Sequence, residues 1–537
     1  MHAGGIHHAE LILLFLLFMV GGLTTLSRRF ETPYPIVLVV GGLLLSFIPN
    51  LPQISLNPDI VFLILLPPLL FAAAFNTSWH DFRFHLVTVL LLAFGLVGFT
   101  VLGVAATSEY LLPDSFDWRL GLVLGAVVCS TDAIAATSIA ARVGLPRAIV
   151  DILEGESLVN DASSLLALEF AAGLVVSGQQ PGFGGGLVRL LTLVGGGLAI
   201  GFAAAWLIHR LQLRLTDPPI EITLSLMAPY ISYLLAESMH VSGPLATVVC
   251  GLYLGHKSSE VFSTQARLEN AAVWNTLDFL LNGVVFILIG LQLPFMLRGI
   301  RGISHRELLF DAAILTAAVI ALRILWMYPG AWLAYFIRTR LLKQSYSRPN
   351  ARGIFVLGWT GMRGVLALAA AISLPRTLDN GSPFPQREVI IFLTFCVILI
   401  TLVVQGLTLP SLIRKLGLCE ADPLEKVERD ARKQMLRGAL DYLESIESDG
   451  TRPDEAVWLD VMHHYKERYA MVDGQTEDVE DPTPVQWSQM YDLNNRVRAA
   501  ERAALVKMRY EDRISDHVLR KLERELDLLD TRFMPRG

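Results

Sequence analysis

The chain has 537 residues, of which 53% are hydrophobic, and its mean hydropathy is +0.49. These totals are too apolar for a water-soluble protein of this size and predict a polytopic membrane protein. The formal charge of -6 indicates no class of partner, because about half of the charged residues lie after residue 417.

Hydropathy predicts about thirteen membrane-spanning helices, all of them before residue 418. Residues 258–272, between the ninth and tenth spans, are too polar to cross the bilayer and are expected to lie along its surface as a connecting helix. The predicted spans lie near residues 10–27, 34–49, 57–75, 85–107, 119–142, 148–177, 187–211, 218–239, 242–256, 274–297, 307–337, 352–375 and 388–413.

The charges around the spans predict their orientation. Glu10 precedes the first span and Arg28 and Arg29 follow it, the reverse of a cleaved signal peptide, so this helix is expected to be retained. Loops after odd-numbered spans carry about twice the basic residues of the even loops, although one even loop near residue 300 is also basic. Thirteen spans would then place the amino terminus outside and the carboxyl terminus in the cytoplasm, across a bacterial-type plasma membrane.

Residues 131–161, TDAIAATSIAARVGLPRAIVDILEGESLVND, place three carboxylates of interest inside apolar spans, namely those of Asp132, Glu156 and Asp161. A carboxylate in the bilayer interior costs between about 3 and more than 10 kcal/mol unless it is paired, hydrated or protonated. Asp132 lies in the fifth predicted span, and Glu156 and Asp161 lie in the sixth. Asp161 is close to the middle of its span, about 20 Å of helix from either end. These acids are therefore functional candidates.

Polar side chains surround the three acids. On the sixth span, Ser157 and Asn160 lie within one and a half turns of the two acids of that span. On the fifth span, Ser130 and Thr131 directly precede its single acid of interest. Carboxylate, hydroxyl and amide oxygens suit a hard monovalent cation and not a soft metal. The pattern therefore predicts a monovalent cation site at this depth.

A structural role is the alternative for each acid taken singly, since packing partners or an ion pair can satisfy a buried carboxylate. Glu156 is expected to pair with Arg363 of the twelfth span and so hold two helices together. Arg323, in the eleventh span, needs a counter-charge that the sequence does not identify. Glu237 and Asp278 are expected near span ends, at helix interfaces.

Competition at one carboxylate would be enough for exchange. Proton and cation need the same oxygens of Asp161, so a site that faces one side at a time would move one proton for each cation. Asn160 beside Asp161 leaves one titrating carboxylate where an Asp-Asp pair would leave two, which favours electroneutral exchange. Glu169, two turns further toward the outside, could line an entry funnel or serve only in packing.

The fifth and twelfth spans show a weak sequence similarity to each other. Each has a charged residue near mid-membrane, then small residues, then LPR: TDAIAATSIAARVGLPR from Thr131 and MRGVLALAAAISLPR from Met362. Paired, interrupted spans are typical of inverted repeats in transporters, with the site at the repeat interface. In the third span, Pro67 and Pro68 predict a kink.

After residue 417 the chain is charged and helical in pattern. Its last helix carries an apolar stripe that needs a partner surface, formed by Ile514, Val518, Leu522, Leu526 and Leu529. A small helical bundle or a dimer contact is favoured over a ligand-sensing domain, and the tail contains no Gly-rich nucleotide-binding motif. The partner of this tail is not identified by the sequence.

Five motifs resemble the monovalent cation/proton antiporters, in the branch that contains bacterial NhaP-type proteins and the sodium/proton exchangers. They are STDAIAATS, EGESLVNDASS, SYLLAESMHVSGPLATVVCGLYLGH, FLLNGVVFILIGLQL and GWTGMRGVLALAAAISLP. The ESLxND and GMRG elements together are the most specific. The resemblance covers most of residues 10–415, and the tail lies outside it.

The resemblance implies an all-α polytopic fold of about thirteen transmembrane helices, with inverted repeats and with fifth and twelfth helices that are partly unwound and cross. It implies a homodimer in the lipid bilayer. The implied parts are an antiporter domain, 1–417, with a dimerisation part at about 10–75 and 187–297 and a core part at about 85–177 and 307–413, and a mainly helical tail, 418–537.

The resemblance also assigns roles at the site. It implies that Asp161 carries the ion and the proton. The residues that would complete the cation site are Glu156, Ser157 and Thr131, and those that would support it are Asn160, Asp132, Arg363 and Ser130. Many members have Pro after the acid of the fifth span, where this chain has Ala133, so the unwinding would rest on the Ser-Thr-Asp run instead.

The expected function is an electroneutral Na+ (or K+)/H+ antiporter with elevator-type alternating access and no cofactor, the preference among Na+, Li+ and K+ being open. The alternatives are a K+-selective or broad cation/H+ antiporter and a non-transporting ion sensor on the same fold. An intramembrane hydrolase is disfavoured, because no span interior has a well-placed histidine and Asp132 with Asp161 is the single candidate dyad. An organic-anion carrier is disfavoured because Arg363 faces three carboxylates. Neither an enzyme nor a nucleic-acid partner is expected.

Overall fold

The computed structural model describes residues 3–30, 32–48, 58–111, 116–177, 183–300, 304–344 and 346–418, with scattered positions between 433 and 470. The chain separates into two compact units, Met1–Ala421 and Asp422–Gly537. The apolar stripe expected near residues 514–529 lies outside the described residues. The first unit carries the predicted spans and is described below.

Helices make up nearly all of the described part of the first unit. The helices of its first half are α1 (Ala3–Arg29), α2 (Tyr34–Leu45), α3 (Pro58–Ile60), α4 (Leu66–Asn76), α5 (Trp79–Leu90), α6 (Val97–Leu111), α7 (Trp118–Val128), α8 (Ala133–Val143), α9 (Arg147–Ser177) and α10 (Phe183–Gln212). Two π-helical segments, Val61–Leu65 and Leu91–Leu96, join α3 to α4 and α5 to α6.

The second half has the same character. Its helices are α11 (Pro218–Ser238), α12 (Gly243–His256), α13 (Ser258–Val261), α14 (Thr264–Leu291), α15 (Leu293–Gly299), α16 (His305–Phe336), α17 (Ala351–Trp359), α18 (Val365–Ile372), α19 (Arg387–Ile400) and α20 (Gly406–Leu416). A π-helical segment, Ile337–Leu341, extends α16, and another, Thr401–Gln405, joins α19 to α20. The all-α polytopic prediction is confirmed.

Each predicted span contains helix in the structure. Within the described ranges, nine helical runs are long and apolar enough to cross a membrane. At the remaining predicted spans lie the 27-residue helix α1, the shorter helices α2 and α12, and the pair α17 and α18. The number thirteen itself stays a prediction.

The segment 258–272 differs from the prediction. Residues Ser258–Val261 form the short helix α13, but from Thr264 onward the chain is already part of α14, which runs unbroken to Leu291. The Ser263 hydroxyl accepts a hydrogen bond from the backbone N–H of Ala266 and so caps the start of α14. The expected connecting helix is therefore wrong for residues 264–272, which extend the tenth span instead.

Proline shapes the third span without stopping it. The backbone adopts π geometry over Val61–Leu65, and a new α-helical start at Leu66 places Pro67 and Pro68 in the first turn of α4. Pro68 has no N–H to donate to the Ile64 carbonyl oxygen one turn earlier, and the Tyr230 hydroxyl of α11 donates to that oxygen at 3.1 Å instead.

Close helix packing places α14 against α2. A Cβ atom built at Gly42 would lie 2.4 Å from the Ile287 carbonyl oxygen, and one built at Gly290 would lie 2.3 Å from the Val39 carbonyl oxygen. Small residues on both helices therefore allow backbone-to-backbone approach, as is usual between helices in lipid. This contact fixes the position of α14 beside the site described next.

Candidate functional site

Two helices are interrupted at the centre of the first unit, and the interruptions touch. The fifth predicted span breaks between α7, which ends at Val128, and α8, which begins at Ala133, and the twelfth breaks between α17 and α18. The Asp132 backbone N–H donates to the Met362 carbonyl oxygen at 2.9 Å, so the two breaks are hydrogen-bonded to one another. The expected unwinding of both spans is present in the structure.

Asp132 explains how α8 begins without a proline. Its backbone is extended and its Oδ1 accepts a hydrogen bond from the Ile134 N–H at 2.8 Å, which makes it the N-cap of α8. Gly364 precedes α18, and a Cβ built there would lie 2.6 Å from Asp132 Oδ2. The Asp132 carboxylate thus lies at the N-terminus of α8 and against the N-terminus of α18, where helix dipoles favour negative charge.

Arginine side chains occupy the opposite ends of the breaks. Arg363 Nη1 donates to the Cys129 carbonyl oxygen at the end of α7 at 3.3 Å. Arg323 Nη2 donates to the Leu357 carbonyl oxygen near the end of α17 at 3.0 Å. Carbonyl groups at helix C-termini lack intrahelical donors, and positive charge is favoured there. Each broken helix therefore carries a complementary charge at its break.

Asp161 lies directly across from the first break. Its Oδ1 accepts a hydrogen bond from the Ser130 hydroxyl at 2.7 Å. Four residues earlier on α9, the Ser157 hydroxyl donates to the Thr131 carbonyl oxygen at 3.1 Å. Helix α9 and the unwound Ser130–Thr131 segment therefore present carboxylate, hydroxyl and carbonyl oxygens to one another, as the sequence predicts.

Asn160 connects the same elements on the buried side. Its Nδ2 donates to the Cys129 carbonyl oxygen at 3.2 Å and to the Thr131 hydroxyl at 3.1 Å, and the residue is fully buried. The amide therefore holds the unwound segment against α9. This geometry fits the supporting position that the resemblance implies for it.

The partner of Glu156 corrects the sequence prediction. Both Glu156 carboxylate oxygens accept from Arg323: Oε1 from Nη1, and Oε2 from Nη2 at 2.8 Å. The two side chains are each 1% exposed. Glu156 therefore pairs with Arg323 of the eleventh span and not with Arg363, and the counter-charge that Arg323 needs is identified. The sequence contains both arginines, but no spacing rule distinguishes them across 167 or more residues of chain.

A cavity of about 360 Å³ reaches the site from one end of α9. Of the predicted site residues, its lining includes Ser130, Thr131, Asp132, Ser157 and Asp161. The other three predicted residues lie behind this lining: they are Glu156, Asn160 and Arg363. The predicted set is therefore brought together, but it divides into a cavity-facing group and a buried group.

Sequence reasoning misplaced one further acid. Asp278 lines the same cavity, 14 residues after the start of α14 and 13 before its end, and so lies at mid-helix and not near a span end. The sequence did not indicate that Asp278 lies at mid-helix, because the polar residues at the start of α14 shortened the predicted span to 274–297. A helix that began at Thr264 would have centred Asp278.

A second cavity, also of about 360 Å³, follows the first along α9. The first is lined as far as Asp161, and the second begins with Ala162 and continues to Glu169. Glu169 accepts from Arg189 Nη2 at 2.9 Å, and Glu237 and His240 line the same space. Glu169 thus lines an opening on the far side of Asp161, in agreement with the funnel alternative for this residue.

Curated relatives resemble the chain over most of its length. A Na+/H+ exchanger of Mycobacterium tuberculosis (strain H37Rv), itself named uncharacterized, is 32% identical over 521 residues, which cover 95% of this chain and 94% of that protein. The Na+/H+ antiporter ApNhaP of Aphanothece halophytica is 32% identical over 440 residues, 81% of this chain and 80% of that protein. A sodium, potassium, lithium and rubidium/H+ antiporter of Bacillus pumilus is 33% identical over 424 residues, 76% of this chain and 62% of that protein.

A solved structure has the same fold. The sodium proton antiporter MjNhaP1 from Methanocaldococcus jannaschii matches with a TM-score of 0.59 at 20% sequence identity, covering 77% of this chain and 100% of that chain. The family model for the transmembrane sodium/hydrogen exchanger matches residues 13–415. These residues contain both helix breaks and every residue of the site described above. The resemblance stated from the motifs is confirmed, and the chain belongs to the sodium/hydrogen exchanger family.

Proposed function

We propose that this chain exchanges one monovalent cation, Na+ or K+, for one proton at Asp161, and that the exchange is electroneutral. The observation that carries the proposal is the position of Asp161: it ends the lining of one cavity where the next begins, beside two interrupted helices. Proton and cation would compete for the same carboxylate oxygens, so neither could be carried while the other is bound.

The cation would meet oxygen ligands from two elements. Asp161 and the Ser157 hydroxyl belong to α9, and the Ser130 and Thr131 oxygens belong to the unwound segment. Oxygen ligands of this kind are the ones that hard cations prefer. We propose that Glu156 is a structural residue, since Arg323 takes both of its oxygens and it does not face the cavity.

An apolar layer separates the two cavities and supports alternating access. It consists of buried Leu66, Leu158 and Leu366 with Phe62 and Leu165 packed against them. Leu66, Leu158 and Leu366 line the first cavity, and Phe62 and Leu165 line the second. With this layer closed, Asp161 faces one side only. Movement of α9 and the broken helices relative to α4 would open the other side, which is the elevator-type step of the proposal.

One titrating carboxylate at the exchange point supports electroneutrality. Asn160, beside Asp161, carries no charge, and its amide donates hydrogen bonds to the unwound segment. Asp132 is occupied as the N-cap of α8. Exchange of one proton for one monovalent cation at Asp161 then moves no net charge. We further propose that the chain functions as a homodimer in the plasma membrane, as the family resemblance implies.

The mechanism is tested by cation-driven dequenching of a pH-sensitive dye in proteoliposomes. Asp161→Asn keeps the size of the side chain but removes the exchangeable proton, so we expect its signal to fall to that of empty liposomes. Glu307→Gln, which removes an exposed acid in the first turn of α16, is the matched control and should keep full activity. Full exchange by Asp161→Asn would refute the role of Asp161.

Electroneutrality requires a separate measurement. We expect the rate of Na+/H+ exchange to be unchanged when valinomycin and potassium gradients set the membrane potential to different values, because no net charge would cross. Net cation flux driven by the potential alone would rule out one-for-one exchange. The same liposomes, assayed with Na+, Li+ and K+ in turn, would define the cation preference.

A further inference from the structure

Asp278 is an acid of the membrane interior that the proposed exchange does not use. It lies at the middle of α14, a helix of the predicted dimerisation part, whereas Asp161 and Asp132 belong to the predicted core part. It lines the cavity that leads to Asp161, together with Asn282 one turn later. Asp278 is partly buried, and an acid within an apolar helix is a functional candidate by default, because a carboxylate there is costly unless it is paired, hydrated or protonated.

The surroundings of Asp278 differ from those of Glu156. Glu156 is neutralised by Arg323, but no basic side chain of the described part of the chain forms an ion pair with Asp278. Its Oδ1 accepts a hydrogen bond from Asn282 Nδ2 at 3.0 Å, and Asn282 is 2% exposed. The amide therefore orients the carboxylate while leaving its charge uncompensated.

The cavity as a whole favours cations. The acids in its lining are Asp132, Glu154, Asp161 and Asp278, and the base in its lining is Arg147. A cleft lined by charges of one sign between apolar walls concentrates the opposite charge. A cation that enters from the Arg147 end passes Glu154 and then finds carboxylates on both walls, Asp278 on α14 and Asp161 on α9.

We propose that Asp278, oriented by Asn282, is a cation-admission site: it holds a monovalent cation in the cavity before that cation reaches Asp161 and so sets the apparent affinity of transport. This inference rests on the proposed exchange at Asp161. Asp278 belongs to the wall that stays in place in the elevator step, so it acts only while this cavity is open and leaves the turnover of the loaded site unchanged.

The experiment measures apparent KM and maximal rate for Na+ in right-side-out and inside-out vesicles. For Asp278→Asn we expect the KM to rise about tenfold in the orientation whose bath faces the cavity, the effect of removing one charge several ångströms from the ion. The maximal rate should stay within about twofold of the unsubstituted chain. Asp278→Glu keeps the charge and should restore most of the affinity. Glu237→Gln, an acid of the opposite cavity, is the control and should leave this KM unchanged.

Two outcomes overturn the proposal. An unchanged KM in both orientations would show that Asp278 does not admit the cation, and a loss of maximal rate at unchanged KM would place it in the transport step instead. If Asp278→Asn does not transport, stabilisation of the purified variant by Na+ in thermal unfolding decides: unaltered Na+ dependence contradicts the proposal, and a shift to about tenfold higher Na+ supports it. Activity of Asp161→Asn would refute the exchange mechanism itself, whereas an inactive Asp161→Asn with an unaltered Asp278→Asn would refute this inference alone.

Discussion

Glu156 and Arg323 show what a single buried contact contributes in this protein. Each is 1% exposed, and the contact joins both oxygens of the carboxylate to the guanidinium. A charge removed from water is costly unless it is paired, so each residue of this pair offsets part of the cost of burying the other. The same Arg323 also reaches the end of α17, which makes the pair a junction of α9, α16 and α17.

Removal of one partner should therefore destabilise the protein strongly. We expect Glu156→Gln to lower the unfolding free energy by about 3–5 kcal/mol, because Arg323 is left buried without a counter-charge. The matched control is Glu169→Gln, whose pair with Arg189 is 54% and 48% exposed and is expected to contribute at most about 1 kcal/mol. Thermal unfolding in detergent compares the two variants. The double variant Glu156→Gln with Arg323→Gln should recover part of the loss, and equal effects of the two single variants would contradict this account.

At the scale of elements, the two interrupted helices act as one unit. The backbone of Asp132 is hydrogen-bonded to Met362, its side chain caps α8, and Gly364 brings the start of α18 against it. The Arg363 N–H donates to the Thr401 hydroxyl, which lies on the π-helical segment between α19 and α20. The breaks are therefore held by specific contacts from several helices, and this geometry keeps the backbone polar groups satisfied inside the membrane.

The close approach at Gly364 provides a test of this element. Gly364→Ala would place a Cβ 2.6 Å from Asp132 Oδ2, and relief of such a contact typically costs about 1–3 kcal/mol. We expect exchange in proteoliposomes to fall at least about tenfold, since that displacement reaches the site directly. Gly98→Ala, in α6, is the control, because no atom lies within 4 Å of its added Cβ. Full activity of Gly364→Ala would show that the two breaks need not touch.

At the scale of the whole molecule, the two cavities lie toward opposite ends of α9. The first is lined near its entrance by Asn76 and Arg147, and the second by His240. The basic loops predict that Asn76 and Arg147 face the cytoplasm and that His240 faces the outside. The cavity that reaches Asp161 would then be open to the cytoplasm, so the structure would correspond to an inward-facing state.

Single cysteines test this orientation. In a chain without its native cysteines, we expect Lys343→Cys, in the loop after α16, to react with an impermeant maleimide only in inside-out vesicles. His240→Cys, between α11 and α12, should react in intact cells. Both loops carry backbone conformations with positive φ, at Lys343 and His240, which place them outside regular helix. Reaction of Lys343→Cys in intact cells would reverse the orientation.

The sequence by itself determined the class of protein and the location of the site. Long apolar stretches require helices in a bilayer, because only intrahelical hydrogen bonds satisfy the backbone there, and acids inside such stretches are costly enough to mark function. Those two facts identified the helical fold and the group around Asp161, and the motifs identified the family. The interruption at Ser130–Asp132 was implied by the family resemblance, which expects an unwound stretch in the fifth span.

Tertiary structure alone decided which charges meet. Glu156 had two arginines available, and the contact between α9 and α16 selected Arg323, a choice that depends on packing between segments 167 residues apart in the chain. Asp278 could face lipid, a neighbouring helix or the site, and the packing of α14 places it in the lining of the cavity. The local sequence pattern indicates how apolar a helix face is. The partner of a buried charge, however, is determined by helices that are distant in the sequence.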